Sequence, residues 1–155
     1  MHPEASRELF ELAVGQLKSN DVLLRERSWL ILDATFPTLR IAAVHPRRKV
    51  LRVFEFDAND WNDTPLALRL IDAETGEPLP GNMWPRDGSH WHASGWTSAA
   101  GIATPQPFMC MKGVREYHTH HSHISDSWDN YKQLDAFTLG NVVSQVMDVF
   151  EKSDV

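Results

Sequence analysis

Residues 107–128 read PFMCMKGVREYHTHHSHISDSW, and the rest of the chain can be interpreted as a scaffold for this stretch. It holds the only cysteine of the chain, Cys110, together with Glu116 and four of the eight histidines. Residues 108–111 form a short apolar segment that ends at a Lys-Gly pair, so the thiol is predicted to lie where a buried strand gives way to a turn. The stretch therefore offers two candidate chemistries, a thiol nucleophile and a transition-metal site.

Length and composition indicate one folded domain over residues 1–155. A chain of about 150 residues buries roughly 70% of its unfolded surface, which allows a single core. The apolar share is 42%, with six Trp and seven Phe, far from the composition of disordered chains. The net charge of -6 would repel a phosphate backbone, so no nucleic-acid partner is expected.

The start of the chain and its cysteine content predict a cytoplasmic protein. Met1 is followed by the polar sequence HPEASRE, which is unlike a signal peptide. No segment approaches the roughly 18 uninterrupted apolar residues of a membrane helix, so no membrane partner is expected. A lone cysteine cannot form an internal disulfide and can stay a thiol in a reducing compartment.

Hydropathy patterns predict an α+β fold. Apolar residues recur at spacings of three and four over residues 4–17, which predicts an amphipathic N-terminal helix that ends at the turn-forming residues 19–21. Strand-length apolar segments then follow one another with short breaks, which predicts an antiparallel meander. These four segments are residues 28–33, 38–44, 50–56 and 66–71.

The second half of the chain is predicted to hold a long irregular segment and a closing helix. Residues 78–107 contain five prolines and three tryptophans, and no regular element fits them well. His90 and His92 within this segment share a face only if the backbone is extended there. Residues 139–150 follow the helical pattern, with Thr138 as a reasonable N-cap.

A thiol nucleophile at Cys110 would need help from its surroundings. Only a few per cent of a free cysteine is thiolate at neutral pH, because its pKa is about 8.5. Lys112, Arg115 and His118 are the candidate helpers in sequence. An activated cysteine is expected to alkylate quickly near neutral pH, whereas a zinc-bound one is protected until a chelator is added. The alternative is a small buried hydrophobic residue without chemistry.

The histidines allow a metal site instead. If residues 116–120 are extended, Glu116, His118 and His120 point to one face. A carboxylate and two imidazoles form a credible ligand set for zinc or iron, with Cys110 or an upstream histidine as the fourth ligand. The spacing matches none of the strong zinc signatures.

The order of features resembles the ubiquitin-conjugating fold. That fold has an N-terminal helix, a four-stranded meander, a long irregular segment, a cysteine, a later tryptophan and a helix that opens with a Thr-Leu pair. Here Cys110, Trp128 and the pair Thr138-Leu139 occupy those places.

The chain also resembles a bacterial family predicted to bind metal through a Cys-Glu-His-His set and encoded with ubiquitin-like and activating-enzyme homologues. The residues that match this set are Cys110, Glu116, His118 and either His120 or His121.

The resemblance implies a conjugating-type enzyme. Cys110 would accept a ubiquitin-like protein from an activating enzyme as a thioester and pass it to an acceptor protein, in a bacterial modification or antiviral defence system. Glu116, His118 and His120 would assist catalytically, the first helix would dock the activating enzyme, and no cofactor would be needed.

The alternative is a metal-binding protein or metallohydrolase that holds zinc through Cys110, Glu116, His118 and His120 or His121. A third possibility is a non-catalytic module of the same fold that binds a modifier.

The chain departs from the conjugating-enzyme pattern around its cysteine. The eukaryotic enzymes carry a His-Pro-Asn triplet shortly before the cysteine, and here ATPQP fills that region without an asparagine. Cys110 and Trp128 are 18 positions apart, which is longer than the usual gap, and the histidines occupy the excess. The inserted histidines are therefore predicted to replace the missing triplet by activating the thiol or the acceptor, or by stabilising the tetrahedral intermediate.

Overall fold

A computed structural model describes residues 1–155 and has an α+β architecture, as predicted. Two helices come first, α1 at Pro3–Ser19 and α2 at Asp21–Glu26. Four strands follow: β1 at Trp29–Thr35, β2 at Thr38–Val44, β3 at Leu51–Asp57 and β4 at Ala67–Ile71. The chain ends with a long helix, α4, at Leu139–Lys152. None of these helices is both long and apolar enough to cross a bilayer.

The four strands form the predicted meander. They pair antiparallel in the order β1-β2-β3-β4, so each strand lies beside its neighbour in sequence. Side chains alternate between the two faces, and the inner face carries the large apolar residues. Leu39 and Ile41 of β2, with Phe54 and Phe56 of β3, are completely buried there.

Helices α1 and α4 cover the inner face of the sheet. Phe10 of α1 and Phe150 of α4 are fully buried in the same core as the strand residues. The ring of Phe150 meets the ring of Phe54 edge to face, with centroids 5.0 Å apart. Thr138 caps α4 as predicted, because its side chain accepts a hydrogen bond from the N–H of Asn141.

The turn-forming residues after α1 do more than end it. Asn20 is both the C-cap of α1 and the N-cap of α2, and its side-chain oxygen accepts from the N–H of Leu23. Residues that end one helix can begin the next, since Asn and Asp are also preferred N-caps. The prediction of a plain turn at this point was therefore incomplete.

Residues 78–107 are more regular than predicted. A short 3-10 helix, Gly81–Met83, precedes three two-residue strands: β5 at Trp91–His92, β6 at Trp96–Thr97 and β7 at Ala103–Thr104. Strands β6 and β7 pair with each other, and β5 pairs with β8 at Phe108–Met109. Such short strands carry no hydropathy period, so tertiary pairing and not local pattern defines them.

Candidate functional site

The two-stranded β5-β8 ladder positions the cysteine. Trp91 lies opposite Met109 and His92 lies opposite Phe108 in an antiparallel register. The same register continues by one residue, because the N–H of Cys110 donates to the carbonyl of His90 at 2.7 Å. Directly opposed residues of an antiparallel pair have Cβ atoms about 5 Å apart on one face. His90 and Cys110 are therefore cross-strand neighbours.

The two faces of this ladder differ in character. Trp91 and Met109 face the core, where Trp91 packs edge to face against Trp84 with centroids 6.0 Å apart. The other face carries His90, His92, Phe108 and Cys110, since side chains two apart in an extended strand share a face. The ring of His92 stacks on that of Phe108 at a centroid distance of 4.7 Å.

None of the predicted cationic helpers is placed on the thiol. Cys110 is half-buried, and burial raises the pKa of its thiol. Lys112 instead pairs with Asp126 at 3.6 Å and lies over the ring of Tyr131. No positive charge opposes the desolvation of the thiol in this arrangement, so Lys112 does not act here as the helper that the sequence offered.

Arg115 and His118, the other two predicted helpers, also bind groups other than the thiol. The guanidinium of Arg115 pairs with Asp57 at 3.2 Å and donates to loop carbonyls. His118 accepts at Nε2 from the N–H of Gly113, and its Nδ1 donates to the carbonyl of Asp126 at 2.8 Å. Both ring nitrogens thus form hydrogen bonds, and burial lowers the pKa of His118. To act as a base or metal ligand, as predicted, His118 would have to give up one of these bonds.

Residues 116–120 are not extended, which corrects the prediction that Glu116, His118 and His120 share one face. A short helix, α3, spans Arg115–Thr119. In a helix, residues four apart lie on one side, whereas residues two apart point in different directions. Glu116 and His120 accordingly line one cavity, and His118 is absent from its wall.

Glu116 binds the edge of the sheet. Its carboxylate accepts from the N–H of Leu68 in β4, with Oε1 3.1 Å from that nitrogen. Burial raises the pKa of Glu116 to about 7. The carboxyl group therefore accepts from a strand-edge N–H that has no partner strand. With a pKa of about 7, it is protonated in about half of the molecules at neutral pH. The carboxylate of Glu116 is therefore hydrogen-bonded to the strand edge, and it forms no hydrogen bond with Cys110.

His120 and His121 lie in an aromatic cluster beside the ladder. Their ring centroids are 4.3 Å apart, and both rings contact Trp96. His120 also stacks on Phe108 with centroids 5.3 Å apart. The Nε2 atoms of both histidines are buried without a hydrogen-bond partner. The predicted site residue His120 is therefore adjacent to the ladder, through Phe108, but it pairs with other rings.

The four residues of the predicted metal set do not form one ligand shell. No group of three or more His, Cys, Asp or Glu side chains is arranged to hold a metal ion. Glu116 is hydrogen-bonded to the N–H of Leu68. Both ring nitrogens of His118 form hydrogen bonds, one with Gly113 and one with Asp126. A shared zinc site of Cys110, Glu116, His118 and His120 or His121 would require these contacts to break.

His90 is the site residue that was not assigned a role from sequence. Its Nδ1 is buried without a hydrogen-bond partner, and burial lowers the pKa of His90, which favours a neutral ring. The alternation His90-Trp91-His92 was a usable signal, because it predicts two histidines on one strand face. Its pairing with Cys110 depended on a register between distant segments that no local pattern supplies.

Comparison with known proteins adds a distant relative. No protein-family model matches the chain. The chain is similar to "Uncharacterized protein y4jH" of Sinorhizobium fredii (strain NBRC 101917 / NGR234), with 25% identity. The alignment covers 81% of this chain and 72% of the relative. That name carries no activity, so the chemistry has to be argued from the site.

The raised pKa of Cys110 changes the expected labelling behaviour. Iodoacetamide should alkylate the folded chain with a pH midpoint above the value of about 8.5 of a free cysteine, because only the thiolate reacts. The same chain unfolded in urea is the internal control and should show the ordinary midpoint. A chelator should leave both profiles unchanged. Rapid labelling at neutral pH, or labelling that requires a chelator, would contradict this description of the thiol.

Proposed function

We propose that the chain is a conjugating-type acyl carrier with a ubiquitin-conjugating-like fold, in which Cys110 is the acyl acceptor. The observation that supports it best is the cross-strand pair of a half-buried thiol and a neutral, unpartnered imidazole, Cys110 and His90. The order of helix, meander, irregular segment, cysteine and closing helix also agrees with the resemblance in sequence. Partners on this proposal are an activating enzyme, a ubiquitin-like modifier and an acceptor protein.

Loading would exchange one thioester for another. The Sγ of Cys110 attacks the carbonyl carbon of the donor thioester, a new C–S bond forms, and the donor sulfur leaves as a thiol. His90 takes the proton of Cys110 as the attack begins and returns it to the departing sulfur. No hydrogen bond joins the two side chains in the resting structure, so the ring of His90 has to turn toward Sγ for this step. Its Nδ1 is held by no other group, whereas both ring nitrogens of His118 are hydrogen-bonded.

Transfer would reverse the roles of the groups. An acceptor amine or hydroxyl attacks the acyl carbon, the C–S bond to Cys110 breaks, and the sulfur leaves as thiolate and regains a proton. A thiol with a raised pKa is a slower leaving group. The environment of Cys110 would therefore protect the loaded thioester from water and make discharge depend on a bound acceptor.

A synthetic donor tests loading without knowledge of the natural modifier. We expect a peptide ending in Gly-Gly, supplied as its 2-mercaptoethanesulfonate thioester, to acylate Cys110 in a hydroxylamine-sensitive adduct seen by intact mass. Cys110→Ala should show no adduct and Cys110→Ser a thiol-resistant ester. His90→Phe should slow loading about 100-fold, as expected for loss of a general base. The matched His92→Phe should load normally, since His92 faces Phe108.

Two results would count against this function. The first is an adduct on Cys110→Ala, which would place the acyl group elsewhere. The second is equal loading of wild type and His90→Phe, which would leave only an ordinary solvent-reactive thiol. Assignment to a cytoplasmic modification or antiviral system follows from the resemblance and belongs to this proposal.

A further inference from the structure

A cavity of about 440 Å³ opens beside β4 and belongs to no step of the proposed acyl transfer. Its apolar wall is formed by Leu68, Leu79, Trp84 and Phe108, and its polar groups include Glu116 and His120. A volume of this size is in the range of small-ligand sites, and mostly apolar walls with few polar groups are typical of them.

His120 lines this cavity and holds a buried hydrogen-bond donor that a ligand reaches once the ring turns. Two groups of Ser122 lie at its Nδ1, the hydroxyl oxygen at 2.7 Å and the backbone N–H at 3.3 Å. Because the N–H can only donate, we assign Nδ1 as the acceptor and place no proton on it. Burial and the neighbouring histidines lower the pKa of His120, so the ring is neutral and its proton is on Nε2. His120 is only 8% exposed, and Nε2 has no hydrogen-bond partner. A buried N–H without an acceptor is costly, and a ligand carbonyl would satisfy it.

Glu116 presents an acceptor to the same cavity. Two carboxylate oxygens share the single N–H of Leu68, which leaves lone pairs for a ligand donor. A carboxylate ligand would be repelled when Glu116 is ionised. A cation is disfavoured by Arg69, which lines the wall and whose partner Glu55 is shared with Arg40. The site therefore favours a neutral ligand that carries both a carbonyl and an N–H.

The open edge of β4 adds a third polar group. The carbonyl of Leu66 accepts from Arg115 and that of Leu70 accepts from Leu79, so loops cover both ends of this edge. Between them, the carbonyl of Leu68 points away from β3, because the N–H of Leu68 already faces Glu116, and no loop group donates to it. This one free carbonyl at the strand edge can accept from the backbone N–H of an extended segment.

We propose that this cavity binds an extended peptide segment of a partner protein, whose backbone carbonyl accepts from His120 Nε2 and whose backbone N–H donates to Glu116. An apolar side chain of the segment would lie between Trp84 and Phe108. The proposal goes beyond acyl transfer and is independent of it, because it requires no reaction at Cys110.

The test is a ¹H–¹⁵N titration of the full chain with acetyl-Ala-Leu-Ala-amide. We expect saturable shifts at the His120 ring and the Trp84 indole. His120→Phe keeps the stacked ring and removes the donor, so it should weaken binding about tenfold. His120→Gln, whose amide can place an N–H near the position of Nε2, should bind within about twofold of wild type. His123→Phe is the matched control, because His123 stacks on Tyr117 outside the cavity.

A change in the peptide provides a test that needs no variant. Methylation of its backbone nitrogens removes the donors to Glu116 and should also weaken binding about tenfold. Binding that is unaffected by both His120→Phe and N-methylation would overturn the proposal. So would saturable shifts confined to another surface, or no saturable shift with this peptide. Loading of Cys110 is measured separately, so either proposal can fail alone.

Discussion

Replacing Glu116 with glutamine is expected to raise the free energy of unfolding at about pH 8 by roughly 2 to 3 kcal/mol. Burial raises the pKa of Glu116 to about 7, well above its value of 4.5 in an unfolded chain. The folded state thus holds this proton more tightly, and ionisation costs stability as pH rises from 4.5 through about 7. Glutamine stays neutral and its carbonyl oxygen can still accept from Leu68.

The measurement is urea unfolding of both chains across this pH range. The difference in unfolding free energy between Glu116→Gln and wild type should be small at the acid end, grow between pH 4.5 and about 7, and then level off. Taking the difference removes the opposing contribution of the buried histidines, whose lowered pKa values make both chains more stable as pH rises. A difference that is constant with pH would contradict the buried, edge-binding carboxyl.

Gly81→Ala is expected to destabilise the chain by about 3 kcal/mol and to disorganise the thiol site. A Cβ at Gly81 would lie 2.1 Å from the carbonyl oxygen of Ala93, which is backbone and cannot rotate away. Ala93 directly follows β5, and the same Cβ would also approach Pro107, which directly precedes β8. Both strands that hold His90 opposite Cys110 would have to shift.

The readouts are unfolding free energy and the alkylation profile of Cys110. In Gly81→Ala the thiol should label faster, because the displaced ladder exposes it to water. Gly88→Ala is a control in the same segment, since its Cβ would meet nothing nearer than the carbonyl oxygen of Arg86 at 3.8 Å. Equal stability of the two variants would show that the segment is loosely packed and does not fix the ladder.

Much of the scaffold could be predicted from sequence because it follows regular periods. The four strands were found within a few residues of their bounds, and the apolar stripe from Leu139 to Phe150 defined α4. These elements bury large, contiguous apolar faces, so local pattern and tertiary packing agree on them.

The site could be predicted only in part, because distant contacts determine its geometry. Residues 116–120 were predicted to be extended, but a short helix begins at Arg115. The N–H of Arg115 and the carboxylate of Glu116 form hydrogen bonds that hold this helix at the edge of β4. His90 faces Cys110 through a ladder of two-residue strands, and such strands have no period to detect. The sequence thus identified the stretch around the cysteine and missed which histidine lies beside it.

Discharge of the loaded chain onto an acceptor tests the central claim most directly, that Cys110 carries an acyl group in order to transfer it. The chain acylated on Cys110 with the Gly-Gly peptide is incubated with lysine amide or serine amide, and the products are identified by mass. A matched thioester on a short peptide of residues 107–113 is the reference. We predict that the acyl group moves to one of these acceptors faster than to water, and faster than from the reference peptide. Loss of the acyl group to water alone, or transfer at the rate of the reference peptide, would contradict the account.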